Sequence, residues 1–294
     1  MNKEFIKKLR FGSLKEDFFE LFRNILLKDI ILFSIFPIIL LSIMLLPEAI
    51  RQILSFSIYE PSWWQFFSHS FVHKDWGHFL NNLRGYLIFG FILFIFANKI
   101  KEKNVLFWLV LSIIISLPIL SSLVEFMFYP KLLPMIKTSQ GASGIVSALL
   151  GILPIFWIYY FSKKEKTNFT TTYYLNIVML YVASLFVFIY TGIHKRLLIN
   201  VALLTLFLFF IFIYRKNIKL ILKSIAEESK GNILFYFILF FIPLFFILAP
   251  TILFPTNVIQ GNSLVDFFMH YIGLVYGILI SFIFFKVKFS RPPV

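Results

Sequence analysis

The sequence predicts an all-α, polytopic membrane helical bundle. Apolar runs of spanning length, sparse and clumped charges, and a one-sided distribution of Lys and Arg all point to it. Of 294 residues, 60% are hydrophobic and 14% are charged, against about 25% charged in an ordinary soluble domain. A soluble fold of this composition would expose apolar patches large enough to aggregate. The runs between charges are roughly 18 to 22 residues long, and at about 1.5 Å per residue each spans a hydrocarbon core of about 30 Å. A large soluble protein with buried helices is the alternative, and repeated runs of this length argue against it.

Spans are expected near 29–46, 78–97, 105–124, 142–161, 173–192, 197–214, 233–250 and 264–285. The boundary between the fifth and sixth is the short polar break from Gly192 to Arg196. Orientation follows from the basic residues. The segment 1–28, the loop with Lys99, Lys101 and Lys103, and the groups at 163–166, 215–230 and 286–291 together hold 21 of the 28 Lys and Arg. An even number of spans with these groups on one side puts both termini in the cytoplasm. The chain divides into a cytoplasmic N-terminal segment, 1–28, and a membrane domain, 29–294.

Within the first segment, Phe18, Phe19, Leu21, Phe22, Ile25, Leu26 and Leu27 lie among basic residues, as in an interfacial amphipathic helix or a plain solvated tail. Its polar, basic start gives no expectation of a cleavable signal. With no cysteine, disulfides, thiolate metal sites and cysteine nucleophiles are excluded. The net charge of +14 is divided among loops, which fits topology better than nucleic-acid binding.

Polar groups inside membrane helices are costly and default to functional candidates. One cluster is His69, His73, Trp76, His78, Asn81 and Asn82. His78 and Asn82 are four apart and share a helix face, so two donors can converge. His69 and His73 have the competing interpretation of a wet interfacial loop beside Trp63, Trp64 and Trp76. A metal site lacks a carboxylate or cysteine to complete it. A second cluster, Gln140-Gly141-Ala142-Ser143-Gly144, opens a span that continues with Ser147, Ala148 and Gly151. Small residues four apart let helices approach closely, so a packing seam is one meaning. The other is a nucleophile, because free N–H groups in a helix's first turn can stabilise an oxyanion.

The third cluster is Asp266, His270, Gly273 and Gly277. The last three fall on one helical stripe, which presses His270 against a neighbour, about 9 Å below the helix end if the helix begins near Leu264. Asp266, one turn above, is either an orienting group for the imidazole or a solvated carboxylate.

Taken in order, Phe67-Ser68-His69 through His73, His78-x-x-x-Asn82, Gly141-Ala142-Ser143-Gly144 and His270-x-x-Gly273-x-x-x-Gly277 resemble the motifs of the rhomboid intramembrane serine proteases. The resemblance implies a rhomboid-like six-helix core, here with about two additional transmembrane helices, and the serine's helix surrounded by the others. It implies a dyad of Ser143 as nucleophile and His270 as base, with the Ser143 N–H, His78 and Asn82 binding the oxyanion. Gly141, Gly144, Gly273 and Gly277 are expected to pack helices near the site. No metal or cofactor is implied, and the partners are transmembrane protein substrates and the bilayer.

Two features depart from the family pattern. Ser147 stands where relatives often carry an aromatic against the histidine, and three spans rather than one separate the Ser143 and His270 helices. A non-catalytic rhomboid-like protein that binds membrane clients is the second expectation. A transporter or channel is the third, disfavoured because Arg84 is the only midspan charge.

Overall fold

The computed structural model of the chain describes residues 25–132, 137–164, 259–260, 263–264 and 267–289, with six single positions between 205 and 223. Helix α1 (Leu27–Met44) leads to the short α2 (Glu48–Leu54), strand β1 (Phe56–Ser57), α3 (Gln65–Ser68) and a 3-10 turn (His69–Phe71). Then follow α4 (Trp76–Lys99), α5 (Lys103–Leu132), β2 (Thr138–Ser139), α6 (Ser143–Lys164), the strands β3 (Ile259–Gln260) and β4 (Ser263–Leu264), and α7 (Phe267–Phe289). Both strand pairs are antiparallel, β1 with β2 and β3 with β4.

Four described helices are long and apolar enough to cross a bilayer: α1, α4, α5 and α6. The spans expected at 29–46, 78–97 and 142–161 match α1, α4 and α6 to within three residues. Helix α5 runs eight residues beyond the expected 124. The charge of Glu125 reads as a span's end, yet this carboxylate is fully buried and accepts the Ser139 hydroxyl at 3.0 Å. The last helix starts at Phe267 rather than Leu264, because Ser263 and Leu264 pair with the strand before them. The spans expected at 173–192, 197–214 and 233–250 lie outside the described residues, single positions apart. So do Asp266 and nearly all of the segment 1–28.

Helix α6 is the centre of the bundle. Its spanning window is 94% buried, against 28–50% for the other three spans, and it packs on α4, α5 and α7. Small residues on two sides make this possible. A Cβ on Gly273 of α7 would collide with the Gly144 carbonyl, one on Gly277 with the Ala148 carbonyl, and one on Gly151 with the Leu274 carbonyl. The matched pairs 144 with 273 and 148 with 277 advance together, so α6 and α7 run parallel and their N-termini share one end of the bundle. Toward the other end rings replace glycines: Phe285 lies 5.1 Å from Phe156 and 4.4 Å from Tyr159 between ring centres. The two backbones therefore stay in close contact over the first two turns of α6, from Gly144 to Gly151.

Outside this seam, interhelical hydrogen bonds fix the neighbours, each worth about 0.6 kcal/mol in a membrane. Tyr86 of α4 donates to the Leu32 carbonyl of α1 at 2.6 Å, and the Ser116 and Tyr276 hydroxyls join α5 to α7 at 2.6 Å. At the end away from Ser143, Lys103 meets Asp29 at 2.8 Å and Lys163 meets Glu102 at 3.8 Å. The tight turn there has Lys101 at φ 61°, the left-handed closure that lets the Glu102 N–H reach back to the Ala97 carbonyl at 2.7 Å.

Candidate active site

The segment that delivers Ser143 is bonded at almost every residue. Lys137 accepts the Ile58 N–H through its carbonyl at 3.0 Å, and Ser139 pairs with Phe56. Ser55 donates its hydroxyl to the Gln140 side-chain oxygen at 2.8 Å, and the Gly141 N–H donates to the His69 carbonyl at 3.0 Å. The loop on the other side of these bonds is knitted by Gln65. Its Oε1 accepts the N–H groups of Ser57 (3.2 Å) and Ser62 (3.1 Å), while Nε2 donates to the Ile53 carbonyl at 2.9 Å.

Gly141, grouped on sequence with the helix-packing glycines, does something else. It lies before α6 with φ +128°, a conformation that side chains rarely adopt, and a Cβ there would come within 2.7 Å of the His78 ring. Its bare backbone is the surface against which His78 rests.

Ser143 is the first residue of α6 and is half-buried. The helical ladder begins with the Val146 N–H on the Ala142 carbonyl at 3.0 Å. The N–H groups of Ser143, Gly144 and Ile145 precede that bond, as at any helix start, and can face an anion. Across the seam, the missing Gly144 Cβ would lie 3.4 Å from the Met269 carbonyl oxygen, and Gly273 abuts Gly144 from the next turn. His270 thus belongs to the turn of α7 that faces Ser143, and it too is half-buried. It sits about 4.5 Å along the helix from Phe267, shallower than the 9 Å expected, because α7 begins later.

His78 and Asn82 do share a face. Asp75 caps α4 by accepting the His78 N–H at 2.8 Å, which fixes His78 in the first turn. Asn82, one turn on, is buried with its Nδ2 3.0 Å from His73 Nε2. The His73 and His78 rings meet edge to face, 5.1 Å between centres. His78 and His270 are close enough for their charges to interact. One end of the bundle therefore gathers Ser143, Gly141, His78, Asn82 and His270.

His69 and His73 are not in a wet loop, since both are fully buried. His69 contacts the Gln65 carbonyl at 3.0 Å and the Ser122 hydroxyl at 3.2 Å through Nδ1, and the Ser70 hydroxyl at 3.2 Å through Nε2. Sequence reasoning could not place them, because the loop that buries them is held by side-chain bonds with no periodic signature. Burial lowers both pKa values from 6.5 to about 4, the charge of neighbouring His78 adding to the effect on His73.

Between pH 6.5 and 4 the unfolded chain binds protons that the folded chain refuses. Stability is therefore full above about 6.5 and falls as pH drops toward 4, by roughly 2–3 kcal/mol per histidine at pH 4.5. The thermal midpoint in detergent should be clearly lower at pH 4.5 than at 7.5, and His69→Gln should shrink that gap. An unchanged gap would mean that His69 titrates normally.

Ser147, one turn beyond Ser143, is fully buried with no hydrogen-bond partner for its hydroxyl among the described residues. It is no aromatic platform for His270. Arg84 is exposed on the outer face of α4, away from the buried Asn82, where its long side chain can reach toward the headgroup level.

Residues 60–205 match the family model described as the rhomboid domain, a stretch that includes His78, Asn82 and Ser143 and ends before His270. The chain is 33% identical over 105 residues to "Rhomboid-like protein 11, chloroplastic" of Arabidopsis thaliana, which covers 35% of this chain. It spans about a third (33%) of that relative's length. No solved structure matches the chain. A multi-pass helical fold, the family's domain over the Ser143 helix and a rhomboid-like relative agree: the chain is a member of the rhomboid family.

Proposed function

We propose that the chain is an intramembrane serine endopeptidase that hydrolyses peptide bonds in or near transmembrane segments of membrane proteins. The observation that carries it is the parallel backbone-to-backbone contact of α6 and α7 at Gly144 and Gly273, which brings the turns bearing Ser143 and His270 together. A serine hydroxyl attacks a carbonyl only when an adjacent base takes its proton. His270 removes the Ser143 proton as Oγ bonds to the scissile carbon, and the carbonyl oxygen becomes an oxyanion. The Ser143 N–H, His78 and Asn82 donate to that oxygen. The C–N bond then breaks as His270 returns the proton to the departing amine, leaving an acyl-enzyme. His270 next deprotonates a water, whose attack releases the acid and restores Ser143.

The fold we assign is the six-helix core with about two further spans, in a cell membrane with both termini cytoplasmic. Substrates enter from the lipid and unwind locally. A fluorophosphonate probe on the purified full-length chain, followed by peptide mass spectrometry, tests this directly: the label should sit on Ser143. A client-binding rhomboid without catalysis is the second possibility, favoured by Ser147 in place of an aromatic and by a family match that stops short of His270. No label at Ser143, under conditions where an active relative is labelled, selects it.

A further inference from the structure

We propose that His73 is a positioning residue, whose imidazole fixes the Asn82 carboxamide so that it offers an N–H to the oxyanion. The assignment rests on the proteolytic function above and adds a residue to it. Asn82 Nδ2 and His73 Nε2 are 3.0 Å apart, with both residues buried. An amide nitrogen only donates, so this pairing requires a lone pair on the ring nitrogen facing it and the proton on Nδ1, which is buried and has no hydrogen-bond partner among the described residues. One amide hydrogen is spent on His73. The second has no partner among the described residues and is available to a substrate oxygen.

Nothing on α4 itself would make that choice. A carboxamide turned by 180° about its last bond fits the same space but offers Oδ1, which repels an oxyanion. With its proton on Nδ1, His73 removes the ambiguity from outside the helix, since it belongs to the loop before α4. Its own placement is braced: Arg51 Nη1 donates to the His73 carbonyl at 2.7 Å. The ring also lies edge-on to Phe79, 5.7 Å between centres, and beside His78.

The test is a double-mutant cycle on the full chain, measuring kcat and KM for a transmembrane substrate. His73→Leu should lower kcat by about 10- to 100-fold with KM nearly unchanged, a part of the roughly 10²–10³-fold loss expected for a missing oxyanion donor in Asn82→Ala. The double variant His73→Leu/Asn82→Ala should be no slower than Asn82→Ala alone. His73→Gln, whose Oε1 can accept from Asn82, should recover most of the activity.

Losses that multiply in the double variant, an unaffected kcat in His73→Leu, or a Gln variant as slow as Leu would overturn the assignment while leaving the protease intact. No cleavage and no Ser143 label in the unsubstituted chain would remove both. If His73→Leu does not fold, imidazole 15N shifts decide. His73 Nε2 should be unprotonated at neutral pH and respond to Asn82→Ala, and a protonated Nε2 rejects the proposal.

Discussion

Ser143→Ala and His270→Ala should each slow cleavage of a transmembrane substrate by about 10⁴-fold or more, and the double variant should be no slower than either. In the proposed dyad the nucleophile and its base act as a unit. Without the hydroxyl there is nothing to acylate, and without the imidazole the hydroxyl keeps its proton. Binding and oxyanion donation persist in both variants, so KM should move little. Cleavage that survives either substitution, measured by product release from purified protein in liposomes, means that the dyad is misassigned. The two variants should also melt close to the unsubstituted chain, because both side chains are half-buried and neither forms the seam between the helices.

A valine at Gly273 should cost activity less than loss of the dyad, roughly 10²-fold, and should damage stability far more. The methyl groups would occupy the space of the Gly144 carbonyl, and backbone on both sides leaves no rotamer to adjust. The helices must separate by about an ångström or more. Overpacking of this kind costs about 1–3 kcal/mol or more, and a misplacement of about 1 Å at a reacting pair costs roughly 10²-fold in rate. Gly277→Val, against the Ala148 carbonyl, should follow the same course. Gly90 is the control, because a Cβ there meets only the Phe33 ring edge, at 3.0 Å. That ring can swing, so Gly90→Ala should cost less than about 1 kcal/mol. Thermal midpoints and kcat/KM measured in parallel separate the two cases. Equal damage at Gly90 and Gly273 would show that the close contact near Ser143 is not special.

The seam was legible because small residues at intervals of three and four are a local pattern that helical geometry turns into a face. Gly144 with Ala148 and Gly273 with Gly277 needed no tertiary information beyond that. The ends of the spans were less legible. Glu125 looks like a boundary until the Ser139 hydroxyl is seen to meet it, a contact set by how the chain returns after α5.

Least legible was the loop of residues 45–75. Its order comes from single side chains reaching across it, Gln65 to three backbone groups and Arg51 to the His73 carbonyl. No spacing announces such bonds. The same blindness hid not His73 itself but its partner, since no spacing says that its ring meets the Asn82 amide. Ser147 was visible as a departure, but its buried and unpartnered hydroxyl was not.

The near-complete enclosure of α6 also decides how the protein responds to its surroundings. Bilayers differ in thickness, and helices in contact with acyl chains answer by tilting or by stretching the lipid around them. Helices α1, α4 and α5 leave half or more of their spanning windows unburied and can take up that adjustment. Helix α6 has almost no surface on which lipid can pull, so a thicker or thinner membrane reaches the Ser143 hydroxyl only second-hand, through side chains that can yield first.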